Sequence, residues 1–300
     1  MARKWTLSDI GDLSDKTAII TGGNTGLGLK TALELTRRGA EVVIGSRSPQ
    51  NGQAAVASII SEIPGASISY CQLELTDHAS IHTFATAFLD RHDRLDILFH
   101  NAGLVIHPVY ELAPTGRELQ MQINHLGHFA LTCALMPLVT KTQGSTVVQS
   151  TTVPYHKGKI DFDDFDWAQR KYKPMQAYFD SRTAQILFAY TLNEKFKRAG
   201  ISAKAISMQP GLVATEGLKN SDFGGWIMKA LAQPIETGCR THLRVCTDTA
   251  IDTEHFWEPR FKIMGEPTPK KLKAPALDVQ MASRLVARSE ELTGTKLKLV

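Results

Sequence analysis

Three glycines in the run TGGNTGLG (Gly22, Gly26 and Gly28) are the first residues whose spacing suggests chemistry. With Asn24, Thr25 and Leu27 they would form a turn between a strand and a helix. Glycines there let backbone N–H groups come close to a pyrophosphate, and the helix N-terminus adds unsatisfied donors and a favourable dipole. A second residue bears on which dinucleotide is held. A carboxylate ending the second strand would accept from a ribose 2′-hydroxyl, but the chain reads Gly45-Ser46-Arg47. A guanidinium offers charge and a fork of donors to a 2′-phosphate. Together these features predict a site that prefers NADP(H). The plainer readings are a tight turn and a surface arginine; the position of the turn directly after the first strand argues against the former.

The elements that would position these residues follow from periodicity. Short apolar runs at Thr17–Thr21, Glu41–Gly45, Ser67–Leu73, Asp96–His100, Ser145–Ser150 and Ala203–Ser207 read as buried strands. Between them lie helical patterns across Lys30–Arg38, Gln53–Ile63 and Ser80–Asp90, from about Thr115 through Asn124 and beyond, and from Pro174 to about Arg198. Buried strands alternating with helices imply a parallel sheet with right-handed crossovers. The expectation is α/β: a Rossmann-type doubly wound sheet of seven strands forming a single domain over residues 1–300. Residues 221–234 read as a substrate lid, and 256–275 as a C-terminal excursion over the sheet edge.

Composition excludes several classes. The apolar fraction is 43% and the charged fraction 21%, as in ordinary globular proteins. Against 34 basic residues stand 30 acidic ones, so no excess of charge suggests nucleic acid. The cluster Lys270–Lys273 reads as a solvated loop. Cys71, Cys133, Cys239 and Cys246 form no CxxC pair and no metal-like spacing with histidine, so neither disulfide nor metal is expected. The N-terminal MARKWTLSDIGDLSDK has no apolar stretch suited to a secretion signal, and no apolar run reaches membrane-spanning length. A cytoplasmic protein acting on a small molecule is the expectation; a homo-oligomer is left open.

TGGNTGLG, HNAG at His100 to Gly103, Tyr178 four residues before a cation, and Pro210-Gly211 followed by Val213 and Thr215 resemble the short-chain dehydrogenase/reductase family. NHLGHFALT from Asn124, GKIDFDDF from Gly158 and EELTG near the C-terminus are similar to its retinol-dehydrogenase-like, WW-domain-oxidoreductase-like branch. The likeness spans almost the whole chain. It implies that Asn101, Ala102 and Gly103 line a cofactor ribose and that Glu74, with Leu75, lies by the adenine. It also implies that Asn124 holds a proton-relay water, and that Val213 and Thr215 meet the nicotinamide amide.

Two catalytic positions depart from the family pattern. Counting back from GKIDFDDF puts Thr152 at the family's serine, with Thr151 and Ser150 as alternatives. A threonine hydroxyl donates the same hydrogen bond to a carbonyl, although its methyl group narrows the pocket. The family's lysine, which binds ribose and joins the proton relay, is here Arg182. Residues i and i+4 share a helix face, so Arg182 keeps a charge beside Tyr178 but holds its proton too firmly to relay it. His125, His128 and His156 read as core or surface side chains, His156 being the best placed for a pocket.

The resulting expectation is an NADP(H)-dependent carbonyl reductase or alcohol dehydrogenase. Thr152 would orient the substrate oxygen, Tyr178 would supply the proton and Arg182 would hold the ribose. Reduction is favoured because a tyrosine of ordinary pKa, about 10, carries its proton at neutral pH. Phe223, Trp226, Met228 and Trp257 suggest a sizeable apolar substrate, and the catalytic departures suggest a natural-product tailoring step. Two other classes fit the same motifs: a non-redox isomerase, cyclase or lyase that retains the cofactor, and a cofactor-sensing protein without turnover.

Overall fold

Continuous burial is what makes the central strands. β1 (Thr17–Thr21) is buried at every position, as is β4 (Ile97–His100), and β2 (Glu41–Ser46) at all but its first. Strands covered on both faces need no polar alternation, so they read as unbroken apolar runs. The computed structural model describes residues 5–214 and 232–299. β3 (Ile68–Gln72), β5 (Thr146–Ser150), β6 (Lys204–Met208), β7 (His255–Pro259) and β8 (Pro267–Lys271) complete one sheet of order β3-β2-β1-β4-β5-β6-β7-β8. The first seven strands are parallel and β8 is antiparallel to β7.

The sheet has eight strands, not the seven expected; β7 and the edge strand β8 come from the segment expected to run over the sheet edge. β8 contains Pro267 and Pro269, which lack an N–H for a ladder and are tolerated on an edge strand. Trp257, expected near substrate, is buried in β7; Arg244 lies 4.8 Å from its ring and Nε1 donates to the Asp252 carbonyl at 2.8 Å.

Helices cover both faces. α1 (Gly26–Arg37), α2 (Pro49–Glu62) and α7 (Ile235–Thr247) enclose a core containing Ile20, Leu35, Ile59, Met208 and Leu243. α3 (His78–Leu89), α5 (Gly127–Lys141) and α6 (Pro174–Ala199) enclose another containing Phe84, Phe129, Phe188 and Phe196. A short α4 (Leu119–Met121) leads into α5 through a π-helical turn, Gln122–Leu126. The terminal α8 (Val279–Thr293) seats Ala282 and Leu285 against Ala184 and Leu187 of α6. Pro174 opens α6 and Gly200 closes it in the left-handed conformation at φ 65°, each residue suited to its end.

The chain leaves β1 toward β2 and β3, then returns to place β4 on the other side of β1. That reversal opens a crevice at the carboxyl ends of β1 and β4, where open α/β sheets bind ligands. TGGNTGLG follows β1 and HNAG ends β4, so both motifs border it.

Candidate active site

Backbone conformation explains the glycine turn. Gly22 and Gly26 have φ of 64° and 54°, in the region that favours glycine. Gly28 is held by proximity instead: a Cβ there would lie 2.4 Å from both Asn101 Nδ2 and the Gly22 oxygen. Asn101 Nδ2 donates to the carbonyls of Thr21 and Gly22 at 2.9 and 3.2 Å. Thr21 Oγ1 accepts the N–H groups of Asn101 and Ala102, both at 3.0 Å. The two turns bordering the crevice are thereby joined. Gly28→Ala is expected to destabilise the protein by about 1–3 kcal/mol through overpacking, read as a lower Tm; an unchanged Tm would show that this contact relaxes freely.

Thr25 makes no side-chain cap bond to the first turn of α1, and among the described residues no other side chain takes its backbone donors. Arg47 follows β2 directly and is exposed, with no ion pair among the described residues. Glu74 is occupied: Oε1 accepts from Thr76 N and Oγ1 at 2.9 and 2.8 Å, closing a turn. Leu75 is buried, and its carbonyl accepts from Gln122 Nε2 at 2.8 Å. These contacts tie the pair to the turn before α3 and to the π-helical turn before α5.

At the other end of the crevice, α6 carries Tyr178 and Arg182, both buried, with the guanidinium 5.0 Å from the Tyr178 ring centroid. Arg182 Nη1 donates to the Ser150 carbonyl at 3.0 Å and to Gln185 Oε1 at 2.9 Å; Nη2 donates to the Leu104 carbonyl at 3.3 Å. Its Nε is buried without a partner among the described residues. Gly103 leaves room for this head, since a Cβ there would sit 2.8 Å from Nη2. The guanidinium therefore clamps β5, the loop after β4 and α6 together, which ribose binding alone would not require.

Asn124 sits in the π-helical turn, a feature common at functional sites. Its Oδ1 accepts Leu104 N–H at 2.8 Å, while Nδ2 donates to the Leu104 carbonyl at 3.1 Å and to Ser181 Oγ at 2.9 Å. After β5, Thr151 Oγ1 donates to the Arg182 carbonyl at 3.3 Å and is buried. Thr152, half-buried and extended at φ −144°, makes no side-chain hydrogen bond among the described residues. Side chains alternate along extended chain, so Thr152 and Ser150 point away from the face that Thr151 uses.

Gly211 has φ 86°, and a Cβ there would meet the Ile263 carbonyl at 2.5 Å. The turn is held from outside: Gln209 Nε2 donates to Lys262 O at 2.7 Å, Leu212 N to Ile263 O at 3.0 Å, and Gln233 Nε2 to Pro210 O at 2.8 Å. Val213 is buried beside it and bridges to Gln233. Thr215, Phe223, Trp226, Met228 and most of the 221–234 segment lie outside the described residues.

The histidines are mostly core groups. Burial pushes His125 down to about 3 and His128 to about 4, so both are neutral at physiological pH. His128 faces Thr21 Oγ1 at 2.9 Å, while His156 is exposed. No cluster of three metal-ligating side chains occurs among the described residues. Nor is any described helix long and apolar enough to cross a membrane. Gln185 has a position at the site that no motif announces; its only sequence signal is its i+3 spacing from Arg182.

A dinucleotide crevice with a tyrosine and a cation on one helix defines a class, and the comparisons agree with it. The short chain dehydrogenase family model matches residues 16–223. Human retinol dehydrogenase 13 is 33% identical over 93% of this chain and 85% of its own length. A solved protein of Mycobacterium paratuberculosis is 32% identical, with a TM-score of 0.83 over 99% of this chain and 100% of that one. A Shigella flexneri short chain dehydrogenase solved with NADP shares the fold at a TM-score of 0.64 and 22% identity, over 79% of this chain and 92% of that one. The chain belongs to the short-chain dehydrogenase/reductase family, in its retinol-dehydrogenase-like branch. That family membership makes it an oxidoreductase of alcohol and carbonyl groups.

Proposed function

We propose that the protein is an NADPH-dependent reductase of a ketone or aldehyde on a sizeable apolar molecule. The observation that carries this reading is the Tyr178 ring held 5.0 Å from the buried Arg182 guanidinium, at the same crevice as the glycine turn. The residues present fit the cofactor: positive-φ glycines, uncapped donors on α1, and an exposed Arg47 where NAD sites place an acid. Bound there, NADPH supplies the hydride. Thr152 orients the substrate oxygen with its unengaged hydroxyl, Tyr178 Oη donates the proton, and Arg182 favours the negative charge that develops between them. Val105, Val109 and Leu112 are exposed apolar side chains in the segment that follows HNAG. An apolar substrate also accords with relatives named for retinol.

NADPH oxidation matched by alcohol formation from a panel of apolar ketones tests the reading; product without NADPH consumption would replace it with non-redox chemistry. Cofactor choice has its own test. An Arg47–phosphate bond is worth roughly 1.5–3 kcal/mol, about 10- to 150-fold in affinity. The parent is expected to bind NADPH tighter than NADH by that factor, and Arg47→Ala to lose the preference. Equal Kd values in the parent would remove Arg47 from the site.

A further inference from the structure

Arg182 is a buried cation whose partners among the described residues are all neutral. Two are backbone carbonyls, Ser150 and Leu104, and the third is the Gln185 amide oxygen. No carboxylate pairs with it among the described residues, although the side chain is 5% exposed. A buried charge without a counter-charge is costly, and pairing it is the ordinary remedy. Gln185 is where that remedy would be simplest. It is completely buried, its Oε1 lies 2.9 Å from Arg182 Nη1, and glutamate has nearly the same shape. The contact from Gln185 Nε2 to Gln149 Oε1 at 3.5 Å sets the amide with its oxygen toward the guanidinium.

We propose that Gln185 is a positioning residue: it holds the Arg182 head through a neutral acceptor and so keeps the positive charge uncompensated until negative charge develops at the reacting oxygens. This inference rests on the reductase reading. A carboxylate at the same place would fix the head equally well but supply the counter-charge permanently. The charge would then favour reactant and transition state alike and accelerate nothing. Leaving the charge unpaired costs fold stability and makes it available to the reaction. The field of Arg182 already reaches its neighbours. Burial is the main reason His128 gives up its proton so readily, and the Arg182 charge adds to it.

The test is Gln185→Glu in the full chain, with thermal denaturation, NADPH binding and turnover measured together. The expected result has opposite signs: Tm rises by about 2–4 °C or more, NADPH Kd stays within a few-fold, and kcat at saturating NADPH and ketone falls by about tenfold or more. Gln185→Leu removes the acceptor without adding charge and should lower both Tm and kcat. A purely structural glutamine would move stability and rate in the same direction in both variants. A glutamate variant that is less stable than the parent, or does not fold, overturns the uncompensated charge. One with raised Tm and parental kcat overturns its use in catalysis. A parent that oxidises no NADPH with any ketone would instead sink the reductase reading, while the Tm comparison would still judge whether the cation is unpaired.

Discussion

Tyr178→Phe is expected to lower kcat by about 10²–10⁴-fold, the usual contribution of a positioned general acid, while NADPH affinity stays within a few-fold. The two effects separate because the Tyr178 hydroxyl makes no hydrogen bond among the described residues. Its removal strands no partner, and phenylalanine keeps the ring beside Arg182 and Phe179. Tm should therefore remain close to that of the parent, and loss of rate can be read as chemistry. Stopped-flow NADPH oxidation under single-turnover conditions is the measurement that counts, since it excludes product release. A variant that turns over within threefold of the parent would move the proton-donor role elsewhere, and Thr152 would be the next hydroxyl to examine.

Arg182 should give the second large effect, in a direction that family resemblance alone would reverse. By resemblance, Arg182→Lys restores the family's residue and ought to preserve reduction. The geometry predicts the opposite. Three acceptors surround the guanidinium at 2.9–3.3 Å, on two nitrogens of one planar head. An ammonium is a single point on a shorter reach and cannot meet all three. Each buried acceptor left without a donor costs on the order of 1–3 kcal/mol, so Arg182→Lys should be less stable and slower than the parent by about tenfold or more. Arg182→Met, which also removes the charge, should lose about a hundredfold or more in kcat. Urea denaturation and NADPH oxidation on both variants decide it. A lysine variant with parental Tm and parental rate would show that the clamp is incidental.

The contrast shows which parts of the molecule were legible in the sequence. The central strands were, because TAIIT, EVVIG and DILFH are buried on both faces and announce it by continuous apolar character. Helix starts were less so. α1 begins at Gly26 rather than Lys30, because the glycines that suggest a turn also form the first helical turn. The β7–β8 hairpin was hidden for a physical reason: an edge strand needs neither apolar alternation nor a donor at every residue, and PTPKK has neither. Within the site, residue types were legible but their engagements were not. Ser150, Thr151 and Thr152 all offered a hydroxyl, and only the bond from Thr151 to the Arg182 carbonyl sets it apart. Glu74 similarly has its carboxylate committed to Thr76. Gln185 was beyond reach, because a buried amide on a helix is chemically mute until its neighbour is known.

The hairpin at the sheet edge also bears on the order in which a growing chain can acquire its parts. Threading from N to C terminus, β1 to β4 provide everything that joins the glycine turn to Asn101, so that half can assemble while the ribosome is still at work. The Pro210–Gly211 turn is different. Besides Gln233, its restraints are the carbonyls of Lys262 and Ile263, made some fifty residues later. Domains generally fold as synthesis proceeds, and unfinished sheets expose strand edges that invite wrong partners. A nascent chain paused after β6 would present such an edge beside a half-built crevice. The interval between completion of β6 and arrival of the β7–β8 hairpin is thus the one in which this protein is most exposed to aggregation, and in which a chaperone would matter most.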